Sequence, residues 1–244
     1  EGDDYGPGTY SYPSDAVFTP GSYDLTEFVV EEEENYLKFT VGLGAPIQNP
    51  WNSGINLSIQ TIDIYIDTDP GAGTGARLLL EGRNAAMPAE YGWEYAVWVE
   101  GWNQKILRPE DPSDPASAPV EMSGTPLRVR VDSDGGKVIV RVPKEIVGGD
   151  PTEFGYTMVL LGQEGFPTSG VRRVRDVEQA AAQWRFGGAP ADINHTRIVD
   201  MAVPASNPVD QTTLLSDYVG VDGGRVDQLG PDEFPKAFVA TVDD

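Results

Sequence analysis

Three groups of residues have the types and spacing to do chemistry, and the first is acidic. Asp3 and Asp4 stand in the glycine-rich run Gly2-Asp3-Asp4-Tyr5-Gly6-Pro7-Gly8, and Asp67 and Asp69 in Asp67-Thr68-Asp69-Pro70-Gly71-Ala72-Gly73. Paired carboxylates beside such turns can supply most of the roughly six to eight hard oxygens that calcium takes, with backbone carbonyls completing the set. Asp67 and Asp69 are two positions apart, so in an extended segment both carboxylates point the same way. The pattern is not that of an EF-hand: the glycine falls one position early and Leu78 stands where the bidentate glutamate should be. The same acids could also simply end a strand and open a turn. The expectation is a calcium ion shared by Asp3, Asp4, Asp67 and Asp69, stapling the N-terminal segment to a central strand. Without it, the first dozen residues, with few apolar anchors, should fray.

The second group is aromatic. In Trp93-Glu94-Tyr95-Ala96-Val97-Trp98-Val99-Glu100-Gly101-Trp102, odd positions give an apolar face. Even positions mix Trp98 and Trp102 with Glu94 and Glu100. A flat indole flanked by polar groups suits a sugar ring, whose C–H face stacks while its hydroxyls take hydrogen bonds. Arg83, Asn84, Arg128, Arg130 and Arg141 could donate to such a ligand. The alternative is that loops or a second sheet cover this face, making Trp98 core. The third group is His195 alone, in a connection rich in glycine, proline and asparagine, where a structural hydrogen bond is expected.

Composition narrows the chemistry. The 244 residues carry 39 acidic and 17 basic side chains, a formal charge of −22, which argues against nucleic acid or an anionic membrane as partner. With no cysteine and one histidine there is no disulfide frame, thiolate nucleophile or multi-histidine metal site within the chain. No G-x-S-x-G elbow marks a serine hydrolase, and no acid pair stands out in an aromatic cleft. The protein reads as a non-enzyme. No apolar run is long enough to span a membrane. The chain starts at Glu1 without a signal peptide, as a mature exported form would.

The elements that must position these residues are strands. Tyr23 to Glu31 and Asn35 to Leu43 flank the acidic turn Glu32-Glu33-Glu34. Leu57 to Thr68 alternates Ile62, Ile64 and Ile66 against Asp63, Tyr65 and Asp67, predicting one buried and one polar face. Leu127 to Asp132 and Lys137 to Val142 are joined by Ser133-Asp134-Gly135-Gly136, a hairpin signal. Phe154 to Leu161 is a further strand. Two short helices are expected: Val177 to Trp184, capped by Asp176, and Asp210 to Tyr218. Arg108 to Pro119 reads as a proline-punctuated loop. Residues 1–244 thus read as a single all-β domain, an antiparallel two-sheet sandwich.

Read in order, the motifs GDDYGPGTYSYP, PGSYDLTEFVV, NPW, DIYIDTDPGAGTGARLLLEGRN, GWEYAVWVEGW, WRFGGA and NHTRIVDMAVP resemble the C-terminal module of glucodextranase. That module is a DOMON-like domain similar to family 9 carbohydrate-binding modules. The resemblance covers nearly the whole chain. It implies a jelly-roll-like sandwich, an extracellular or cell-surface setting, contact with a polysaccharide or cell-surface glycan, and structural calcium. The acidic pairs and Gly82-Arg83-Asn84 occupy matching motif positions. A rival expectation is a structural subunit of a surface layer or filament. It would self-associate by calcium bridging and by exchange of the strand-like tail Phe234 to Asp244.

Overall fold

The turn Glu32–Glu34 does join two long antiparallel strands, and the rest of the architecture grows outward from such hairpins. The computed structural model describes residues 2–124 and 127–241. Its strands are β1 (Leu25–Glu32), β2 (Tyr36–Leu43), β3 (Gln60–Asp67), β4 (Tyr95–Glu100) and β5 (Asn103–Pro109). They continue with β6 (Pro119–Glu121), β7 (Arg128–Asp132), β8 (Lys137–Pro143), β9 (Gly155–Gly162) and β10 (Asp200–Met201). The two short helices are α1 (Lys144–Val147) and α2 (Gln211–Ser216). Four strands form one antiparallel sheet in the order β1-β2-β8-β7, and six form the other in the order β10-β9-β3-β4-β5-β6.

The core between the sheets follows from alternation. Leu37, Phe39 and Val41 of β2 and Val138, Val140 and Val142 of β8 pack against Ile62, Ile64, Ile66, Val97, Val99, Met158 and Leu160 of the larger sheet. Each such side chain, fully buried, contributes about 1.5–3 kcal/mol. On the outer face of the smaller sheet, Lys38, Arg141 and Arg128 line up across three strands. Arg128, Arg130 and Arg141 therefore belong to the sheet that does not carry the tryptophans.

The larger sheet departs from expectation. β3 is buried at every position, not on one face only. A layer of loops covers its second face: Leu79, Leu80, Ala85, Met87, Val174, Ile198 and Val239 close over Tyr65, Ala96, Trp98, Val159 and Leu161. The polar residues on that face are thus inside the protein and must be paired there.

One further expectation is corrected. Val177 to Trp184 is not helical. Its amides bond across the loop instead, with Glu178 N–H donating to Phe186 O at 2.8 Å and Ala182 N–H to Arg185 O at 3.1 Å. The segment has helix-favouring residues but no large apolar stripe, and burial of Val177 and Phe186 dictates the path. Asp176 caps nothing; Arg172 and Arg197 share it. The expected helix near residue 210 does form, with the Asp210 side chain accepting from Thr213 N–H. The N-terminal segment is well anchored: Gly6 N–H donates to Val199 O at 2.8 Å, Ser11 pairs with Gly187, and Tyr10 is buried. The tail bonds to its own chain through Ala86 and Tyr156, burying Phe234, Ala237 and Val239. Its residues 242–244 lie outside those described.

Candidate functional site

The buried polar face of the larger sheet decides which predicted residues can meet a ligand. Arg83 is fully buried and forks onto Asp63, with Nε to Oδ2 at 2.6 Å and Nη2 to Oδ1 at 3.1 Å. Tyr65 hydroxyl adds a third bond to Asp63 at 3.2 Å. Burial works against the Arg83 charge, but Asp63 more than offsets it and holds the guanidinium above its ordinary value. Glu100 is also fully buried, accepting from Arg173 Nε at 3.2 Å, Trp102 N–H at 3.0 Å and the Asn103 amide. Trp98 is 1% exposed, sealed under the loop layer. Arg83, Glu100 and Trp98, expected as ligand contacts, are core; for Trp98 this is the stated alternative of a face covered by loops. Asn84 is buried too, its amide donating to His195 O at 2.9 Å. His195 itself bonds the carbonyls of Asp192 and Val177 at 2.7 and 3.2 Å, the structural role expected.

Trp102 alone of that strand's indoles reaches solvent. It sits in the β4–β5 turn, 45% exposed, and lines a cleft of about 500 Å3 with Trp51 and Trp184, each 37% exposed. Trp51 comes from the Asn49–Gly54 loop and Trp184 from the segment that fails to be a helix. Their rings lie 6.1 Å apart at 57°, an angled platform rather than a slot. Phe18 supports Trp184 edge-on at 6.0 Å. Gln163, Glu164 and Arg185 supply polar groups to the same cleft, with Arg185 Nη1 on Glu164 Oε2 at 2.7 Å. Arg175 positions it: its guanidinium lies over Phe18 and bonds Trp184 O at 2.6 Å and Gln163 O at 2.8 Å. Trp51 and Trp184 were missed as site residues, and their loops show no periodic signal. The cue available was a tryptophan in each of two polar, glycine- or proline-flanked segments, NPW and WRFGG.

Trp98 and Trp102 now make opposite predictions. Trp98→Ala should lower stability by about 3–5 kcal/mol, as core truncations of large aromatics do, and leave the cleft's ligand affinity unchanged at temperatures where the fold persists. Chemical denaturation paired with a binding titration checks it; a stability loss under 1 kcal/mol would contradict the placement.

The four predicted metal carboxylates do not gather at one point. Asp67 and Asp69 meet Glu94, expected on the sugar face, with one oxygen of each within 4.8 Å of the others. Asp3 instead meets Asp24 and Asp200 within the same limit. Asp4 joins neither group and accepts from the Tyr12 hydroxyl. Burial, with the charges of Glu94 and Asp69 against amide bonds from Asp69 and Gly92, pushes Asp67 up to about 7. Burial, reinforced by Asp3 and Asp24, pushes Asp200 up to about 8. Both triads are crowded carboxylates of the hard-oxygen kind that a divalent cation would neutralise.

Among the described residues, no helix is long and apolar enough to cross a membrane. Among curated proteins nothing matches the chain significantly. One family model does, that of the C-terminal binding module, SLH-like, of glucodextranase, and it matches residues 1–228. That description is of a binding module. Spanning all but the last residues, the match shows that the chain belongs to this family of SLH-like C-terminal binding modules of glucodextranase.

Proposed function

We propose that the Trp51–Trp102–Trp184 cleft is a glycan-binding site and that the protein is a non-catalytic, exported carbohydrate-binding module. The observation that carries the reading is three half-exposed indoles converging on one cleft with polar side chains between them. Indole faces bury the C–H surface of a pyranose, and Gln163, Glu164 and Arg185 hold donors and acceptors for its hydroxyls. The family's association with glucodextranase makes α-glucans the first ligands to try. Affinity electrophoresis through gels cast with dextran and a panel of other polysaccharides, calcium present, should show retardation by at least one. Free migration through every gel would overturn the reading.

The two acidic triads are proposed calcium sites. Asp67, Asp69 and Glu94 would hold one ion where β3 ends, and Asp3, Asp24 and Asp200 another where the N-terminal segment meets β10. A ligand that binds only the folded state at about a hundredfold excess over Kd adds about 2.7 kcal/mol. For a chain of this size that raises Tm by roughly 5–10 °C. EDTA should therefore lower Tm, and Asp67→Ala and Asp200→Ala should each remove part of the difference. An unchanged melt after chelation in metal-free buffer would mean that the triads hold no calcium.

A further inference from the structure

A second cavity, of about 590 Å3, shares no residue with the tryptophan cleft. Its floor is the turn Leu78–Asn84, which the buried Arg83–Asp63 pair anchors from beneath. Gly82, at φ 87°, lets the Arg172 stem lie against that turn, since a Cβ there would come within 2.8 Å of Arg172 Cγ. Arg197 reaches the same turn, donating from Nη1 to Gly82 O at 2.9 Å. Arg225, from the C-terminal segment, is the third guanidinium on the lining. Much of the remaining wall is apolar, from Leu79, Ala85, Leu229 and Phe234 among others.

Charge is unevenly placed around this cavity. Asp176 Oδ1 accepts from Arg172 Nη2 at 3.2 Å and from Arg197 Nε at 2.8 Å, so one carboxylate serves two cations. Arg225 is held by Asp227 at the exposed rim. Glu81 is the other acid on the lining. Three guanidiniums thus stand against three carboxylates, and the donors left for a ligand are the Arg172 and Arg197 N–H groups that Asp176 and Gly82 O do not take. Guanidinium donors of this kind match the planar or tetrahedral oxygens of an organic acid. An apolar wall and a volume in the range of small-molecule sites suit an organic body.

We propose that this cavity binds a small amphiphile, with an aryl or acyl body against the apolar wall and one anionic group on the Arg172 and Arg197 N–H donors that Asp176 leaves open. The site is independent of the glycan reading. The test uses two fluorescent probes that share a ring system: 8-anilinonaphthalene-1-sulfonate and N-phenyl-1-naphthylamine, which lacks the sulfonate. The intact chain should bind the sulfonate saturably, with decanoate displacing it and decanol not. Arg172→Gln should weaken the sulfonate about tenfold, as loss of a charge-assisted bond does, and change the neutral probe less than twofold. Arg225→Gln, at the exposed rim, should weaken the sulfonate by about threefold and serves where Arg172→Gln melts early. Ala118→Trp, at the mouth, should remove both probes, and Trp102→Ala neither. Equal sulfonate affinity in the wild type and both arginine variants, or binding that survives Ala118→Trp, would overturn the proposal.

Discussion

Trp102→Ala and Trp184→Ala should each weaken glycan binding by about 2 kcal/mol, roughly thirtyfold, as truncation of a central aromatic anchor does. Trp51→Ala should do the same through the platform it shares with Trp184. Trp102 is 45% exposed and lies in a turn, so its removal should move Tm by no more than a few degrees. Phenylalanine at either position should recover part of the affinity, because it restores a flat apolar face without the indole's full area. Isothermal titration against the retarding polysaccharide, alongside a thermal melt, separates the two effects. Wild-type affinity in all three alanine variants would remove the cleft from the account.

The buried ion pair gives the largest expected effect on stability. Arg83→Met leaves Asp63 fully buried with only Tyr65 for company. Removing one partner of a buried pair costs about 3–5 kcal/mol, which for a chain of this size lowers Tm by roughly 10 °C. The double variant Asp63→Leu/Arg83→Met should recover much of that loss, because no uncompensated charge then remains inside. Differential scanning calorimetry of the three proteins checks both statements. A single variant melting within 1 °C of wild type would show that water reaches the pair, and would contradict the sealed loop layer.

That loop layer marks the boundary of what sequence reading could reach. The hairpin at Ser133–Gly136, the acidic turn before Tyr36 and the isoleucine alternation of β3 are local signals, and they gave strands in the right places. Asp63, Trp98 and Glu100 carry an equally clear alternation, but it leaves open whether their face meets a ligand or lies under loops. Loops from residues 76–87, 171–177 and 196–203 cover it, and nothing in a period-two pattern reports contacts so distant in the chain. Buried charge was itself the missing clue: Arg83 and Arg173 are the partners that make an inward Asp63 and Glu100 tolerable. The error at Val177 to Trp184 has a different origin. Alanine-rich propensity is a weak preference, and bonds to Ser14, Arg185 and Phe186 outweigh it. The same error hid Trp184, since a residue placed at a helix end is not sought in a cleft. The acidic residues group differently from the expectation: Asp67 and Asp69 converge with Glu94, and Asp3 with Asp24 and Asp200.

The five tryptophans allow one measurement to locate the ligand directly. In a 15N–1H correlation spectrum each indole N–H gives its own signal, assignable with Trp→Phe variants. Saturation with the glycan that retards the protein should shift the signals of Trp51, Trp102 and Trp184. Those of Trp93 and Trp98, each 1% exposed, should stay where they are. Binding that leaves the three cleft signals unmoved would contradict the assignment of this cleft as the glycan site.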